Sequence, residues 1–177
     1  MVVPSVSQQL AAIRHTLAKT VVPALDADAD FAREQAGLVL ASLDWAMDVV
    51  ESEHRYEVVE HTDYRDLLSS LLAMAPGDDV GDAQAVLDAT AESPHDLAGL
   101  REQTRALKRD TDAVFTLLAR QDPAVALTAR QLVSRVAVRQ TERELAWTRM
   151  TGFPRNVAAD VAGVLREQSR GAREPAA

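Results

Sequence analysis

Cysteine is absent from all 177 residues. That excludes disulfide scaffolds, thiolate zinc sites, iron–sulfur ligation and cysteine nucleophiles together. A reducing compartment suits such a chain, and the expected location is the cytoplasm. Glycine and proline are scarce, at seven each, and aromatics make up only 4% of residues, which argues against the many short strands and tight turns of a β-sandwich or barrel. No apolar run approaches the roughly 18 residues of a membrane-spanning helix. The opening Met1-Val2-Val3-Pro4-Ser5 lacks the basic start and long apolar stretch of a secretion signal, so no membrane association is expected. Lysine is nearly missing, with Lys19 and Lys108 the only two among 19 basic residues. A net charge of −8, without aromatics interleaved among the arginines, argues against a nucleic-acid partner, and none is expected.

What remains is a chain with 47% hydrophobic and 26% charged residues, the composition of a folded domain long enough to bury its own core. Its charge is unevenly distributed. Residues 1–100 carry 5 basic and 18 acidic side chains, and residues 101–177 carry 14 basic and 9 acidic ones. Acidic helices packing beside basic ones would produce this pattern, and so would a basic face kept for an anionic ligand or partner.

Apolar spacing is helical throughout. Val6, Leu10, Ile13 and Leu17 share one face of a first helix, Ser5 to Thr20, ended by Pro23. Asp26, Asp28 and Asp30 favour a new helix start near Phe31. Its stripe of Ala36, Leu40, Leu43, Met47 and Val50, widened by Val39, Trp45, Ala46 and Val49, marks it as the most buried helix. The polar stretch Glu51 to Asp63 reads as a solvated extension with a break near His61-Thr62. A third helix carries Tyr64, Leu67, Leu68, Leu71, Leu72 and Met74 up to Pro76-Gly77, and a short fourth covers about Asp82 to Ala91. Ser93-Pro94 has the form of a cap followed by proline at the first helical position. Beyond it, Leu97, Leu100, Thr104, Leu107, Thr111, Val114 and Leu118 form an unbroken heptad. Asp122-Pro123 repeats the capping signal before a sixth helix that ends at Gly152, and Asn156 caps a last short helix with Val157, Val161, Val164 and Leu165. The expected fold is all-α: an up-and-down bundle of about six helices around the second, fifth and sixth, with a long antiparallel hairpin over about 94–121 and 123–151. A single domain spans 1–168, with a disordered tail at 169–177.

Three constellations carry possible chemistry. Glu51-x-x-His54, followed by Glu57, Glu60, His61 and Asp63, has the Glu-x-x-His spacing of di-iron bundles. The second such motif is missing, however, because neither His15 nor His95 has a glutamate three residues before it. Glu51, His54, Glu57, Glu60 and His61 are therefore candidates for a metal-dependent helical enzyme, while the preferred reading has no metal, no cofactor and no catalytic residue. Glu57-x-x-Glu60 with Asp79-x-x-Asp82 resembles the paired acidic motifs of all-helical nucleotide pyrophosphatases, but the second motif falls in a glycine-rich loop. Ser and Thr nucleophiles have no supporting pattern. The third constellation is Arg135, Arg139 and Arg143 at i, i+4 spacing, followed by Trp147. It either faces the acidic stripe of Asp44, Asp48 and Glu51, or stands exposed as a partner-binding face that grips carboxylate or phosphate. A small-ligand-binding bundle with an apolar slot is the remaining alternative.

The segment from Ile13 to Asp26, with its Val22-Pro23-Ala24-Leu25 joint, and the Ala-rich helix opened by Phe31 and running to Leu43 resemble the two N-terminal helices of a small helical family. That family is encoded beside aminoglycoside-phosphotransferase-like kinases and acyl-CoA dehydrogenases. The resemblance covers about residues 10–52. It implies an accessory, non-catalytic protein beside a kinase or dehydrogenase of acyl-CoA chemistry, and it carries over no site residue. The expected partner is a protein, or a second copy of the chain.

Overall fold

The computed structural model describes residues 3–75, 80–152, 157 and 159–171. Among them are seven α-helices and no strand: α1 (Val6–Thr16), α2 (Asp30–Val49), α3 (Glu53–Leu72), α4 (Gly81–Ala89), α5 (Leu97–Leu118), α6 (Pro123–Thr148) and α7 (Val161–Gly171). The all-α bundle is as expected. The contacts divide the chain into two compact units, Met1–Glu53 with Glu144–Val164, and His54–Arg143 with Leu165–Ala177, where the sequence suggested one domain over 1–168. Helix α7 continues through Ser169, Arg170 and Gly171, past the expected boundary at 168. Residues 172–177, Asn156, and Pro76 to Asp79 lie outside the described residues.

In the first unit, Ser5 caps α1 by accepting from the Gln8 backbone N–H, and Gln8 returns the bond to the Ser5 N–H. This reciprocal Ser-x-x-Gln box satisfies two helix-end donors. Beyond Thr16 the chain widens into a π-type turn, Leu17–Val21, and tightens into a 3₁₀ turn, Val22–Ala24, around Pro23, which cannot donate to a helical ladder. The start of α2 falls one residue before the expected Phe31, but no aspartate side chain caps it. Ala29 occupies the cap position, and Asp30 sits in the first turn, where its charge meets the positive helix end. Helix α2 packs on α1 and on the 3₁₀ turn Arg149–Thr151. It is not the most buried helix: Val49 is its single buried residue, and Ala36, Leu40, Leu43 and Met47 are only half-buried. Gly152, at φ 78°, ends the Arg149–Thr151 turn in the left-handed region that glycine adopts without a Cβ penalty.

The second unit holds the core. Leu67, Leu68 and Leu71 of α3, Ala83 and Leu87 of α4, Leu107, Val114 and Leu118 of α5 and Ala129 of α6 form one buried cluster. Six of the seven heptad positions on α5 are buried, and Leu97 is half-buried. Side-chain pairs set the directions. Glu57 with Arg101, His61 with Gln103 and Tyr64 with Lys108 advance together, so α3 and α5 run parallel. Val80 before α4 shares a cavity wall with Leu117 and Arg120, and Ala89 at its end shares one with Gly99 and Gln103, so α4 runs antiparallel to α5. Asp63 meets Arg143 while Leu67 shares a wall with Val133, so α6 runs antiparallel to α3, which gives up-down-up-down order. Two expectations about helix ends differ here. Ser93-Pro94 does not start α5. Asp96 does, its carboxylate accepting from the Gly99 N–H at 2.8 Å, and Pro94 packs against Gly99 instead. At α7 the cap is Asp160, which accepts from the Gly163 N–H, and Val157 lies outside the helix. Asp122 does cap α6, accepting from Ala124 at 2.8 Å.

Candidate functional site

The stretch read as solvated, Glu51 to Asp63, is for the most part a continuous helical turn series with no break at His61-Thr62. Glu60, His61 and Asp63 are buried. Each finds a partner far away in the sequence, and this disperses the candidate metal ligands. Glu57 pairs with Arg101 at 2.7 Å and Glu60 with Lys108 at 2.8 Å. His61 Nε2 lies 2.8 Å from the Gln103 amide oxygen. His54 is exposed, with Nε2 3.2 Å from the His95 carbonyl oxygen. Glu51 precedes α3 and is exposed. No group of three metal-ligating side chains exists among the described residues. Of the paired acidic motifs, Asp79 lies outside the described residues and Asp82 is exposed at the start of α4.

Two members of the arginine stripe, Arg139 and Arg143, turn inward, but to another acid than Asp44 and Asp48. Asp63 is the hub. Arg139 Nη2 reaches Asp63 Oδ1 at 2.8 Å, and Arg143 Nη1 donates to Asp63 Oδ2 at 2.5 Å and to Gln168 Oε1 at 2.6 Å. Gln168 Nε2 donates in turn to the Arg139 carbonyl oxygen at 2.9 Å, joining α3, α6 and α7 in one network. Arg143 is 0% exposed, and its Nε and Nη2 have no acceptor. Its guanidinium stands 5.8 Å from the Tyr56 ring centre. Arg135 alone of the three is exposed, so the stripe offers no aligned outward face. Trp147 is half-buried, and its carbonyl oxygen accepts from Trp45 Nε1 at 3.0 Å. Asp44 is held instead by Arg14, and Asp48 by Arg149, both through two-point contacts. The Arg14 hydrogen bond holds the Asp44 carboxyl below its ordinary value.

Sequence reasoning missed a serine–histidine–amide order: Ser93 Oγ lies 3.4 Å from His61 Nδ1, with Gln103 on the other ring nitrogen. Its members come from three separate stretches, so no local motif signals it. Burial holds the His61 imidazole below its ordinary value, so the ring is neutral near pH 7. At 3.4 Å the hydroxyl is looser than an ordinary hydrogen bond, and the trio ties the 90–96 loop to α3 and α5. The cavity between Tyr64, Leu67, Phe115 and Val133, with Lys108 and Asp112 also in its wall, measures about 230 Å³, below the roughly 300–1,000 Å³ of small-molecule pockets.

The feature that does face solvent is apolar. On α2, Phe31 is 74%, Leu38 56% and Val39 50% exposed, and on α1 Val6 and Ile13 are exposed as well. Phe31, Leu38 and Trp45 are spaced by seven, and Ser42 and Val49 fall on the same line, so they share one stripe. The C-terminal half of that stripe is occupied: Val49 is buried, and Trp45 bonds to the Trp147 carbonyl. The N-terminal half is open. No helix among the described residues is long and apolar enough to cross a membrane. Comparison with protein-family models, with curated proteins and with solved structures returns no match.

Proposed function

We propose that this chain is a non-catalytic helical interaction protein of the cytoplasm that docks a protein partner through the first unit. The observation that carries this reading is the open half of the α2 stripe. Phe31, Leu38 and Val39 lie on one helix whose other side already packs on α1, and large apolar side chains clustered on one exposed face mark interaction surfaces. The second unit supports the reading from the other side, because the charged groups singled out there are bound to one another. Glu57, Glu60, Asp63, Arg139 and Arg143 are all paired internally. The resemblance over residues 10–52 falls on the same two helices, and it makes a kinase or dehydrogenase of acyl-CoA chemistry the first partner class to test.

A photo-crosslinking residue placed at position 38 and expressed in the native host tests the proposal. One discrete protein adduct is expected from position 38 and none from position 116, an exposed site on α5. Equal, diffuse labelling at both positions, or none at either, overturns it.

A further inference from the structure

The covered half of the α2 stripe shows what chemistry the open half accepts. Along the covered half, apolar Trp45 and Val49 are flanked by Asp48, and the segment lying there brings an arginine to that acid: Arg149 grips Asp48 with Nε at 2.8 Å and with Nη2. Asp44, on the α1 side, is likewise neutralised by Arg14 of the helix packed on it. Each acid of α2 that borders a packed neighbour is thus matched by a guanidinium from that neighbour.

The same arrangement recurs two heptads earlier. Glu34 stands fourteen residues before Asp48 and so lies on the same flank of the helix, beside Phe31 and Leu38 as Asp48 lies beside Trp45 and Val49. Glu34 is exposed, and no described cation pairs with it. Asp26, Asp28 and Asp30 are exposed at this same end. Arg33, its neighbour in sequence, is directed to the backbone, donating to the Leu25 and Asp26 carbonyl oxygens at 3.3 Å. The open half is therefore an apolar strip with an acidic border. A second acid-bordered strip cannot satisfy it, because like charges brought together at an interface are repelled.

We propose that the open half of the α2 stripe receives an amphipathic helical segment of another protein, which lays apolar side chains on Phe31 and Leu38 and sets an arginine or lysine against Glu34. This rests on the interaction-protein reading and names the chemistry of the occupant. The occupant repeats, between molecules, the contact that Arg149 makes with Asp48 within this chain. Recognition of this kind uses the spaced anchors of a helix laid on an apolar strip and takes its orientation from the charge at the rim.

The test uses the full-length chain and two synthetic 18-residue amphipathic helices. Both carry leucine along one face, one with arginine and the other with glutamate on the flanks, and each is titrated by fluorescence anisotropy at physiological salt. The arginine peptide is expected to bind at least tenfold more tightly than the glutamate peptide. Leu38→Asp should abolish binding, and Glu34→Arg should reverse the preference; both positions are exposed, and circular dichroism checks that each variant stays folded. Equal binding of the two peptides, no binding of either, or a preference unmoved by Glu34→Arg overturns the proposal. Concentration-dependent self-association in sedimentation, lost in Leu38→Asp, also overturns it, by making a second copy the occupant. If the adduct at position 38 forms while the charge preference fails, the interaction reading stands and only the occupant's chemistry is refuted.

Discussion

Asp63 and Arg143 are unequal partners, and that inequality predicts an asymmetric response to mutation. Arg143 is fully buried and has one carboxylate, Asp63, while Asp63 also holds Arg139 at 2.8 Å. In Asp63→Asn, Arg143 keeps its charge in the interior with only amide oxygens as acceptors. Removing one partner of a buried pair costs about 3–5 kcal/mol. In Arg143→Met, Asp63 retains a cation, and the loss is the bonds from Nη1 to Asp63 and Gln168. Set against that loss is relief of the buried Nε and Nη2, which lack acceptors and cost about 1–3 kcal/mol each when unsatisfied. Arg143→Met is therefore expected within about 2 kcal/mol of the native protein. Far-UV circular dichroism in urea reads both variants. Tryptophan fluorescence is the wrong probe, because Trp45 and Trp147 belong to the first unit. The midpoint should fall far more for Asp63→Asn than for Arg143→Met. Equal losses, or a larger loss for Arg143→Met, would refute the hub role of Asp63.

His61 predicts a pH dependence. Its folded pKa lies below the ordinary 6.5 because of burial, so the unfolded chain binds the proton more readily. Stability is complete above about pH 6.5 and falls as the pH drops toward the folded value; unfolding measured between pH 7.5 and 5 should show this slope, and His61→Gln should flatten it. Leu107→Ala, at the centre of the core, is expected to cost about 2–5 kcal/mol by cavity formation, measured by urea denaturation. Thr111→Val is expected to stabilise by about 1 kcal/mol, since the buried Thr111 hydroxyl has no partner and the swap removes it at nearly equal shape; a raised thermal midpoint confirms it and a lowered one contradicts it.

The fold class, the α5 seam and the Asp122-Pro123 start of α6 were legible because each depends on neighbouring residues. The steps of three and four from Leu100 to Leu118 need no distant information, and neither does a cap whose acceptor and donor lie two residues apart. The start of α5 was ambiguous for the same reason: Ser93-Pro94 and Asp96 are both good local signals, and packing of Pro94 on Gly99 favours the second. The burial of Glu60, His61 and Asp63 was not legible, because Lys108, Gln103, Arg139 and Arg143 lie some 40 to 80 residues further along. Without those partners, a run rich in Glu and His reads as a solvated face. Spacing showed that Arg135, Arg139 and Arg143 share one side of α6, but it did not show that Asp63 rather than Asp44 stands opposite. Periodicity likewise marked α2 as amphipathic without telling a covered stripe from an open one, and the open half is the candidate site.

The central claim is that Phe31 and Leu38 are kept for another molecule rather than for this chain's own core, and equilibrium unfolding of Leu38→Asp beside Val49→Asp tests it most directly. Val49 lies on the same stripe and is 5% exposed, so placing a charge there should cost several kcal/mol, on the order of the penalty for burying an unpaired carboxylate. Leu38→Asp should stay within about 0.5 kcal/mol of the native protein, as substitutions at exposed positions do. A loss of about 2 kcal/mol or more at Leu38 would mean that the chain itself covers this surface, and the docking account would fail.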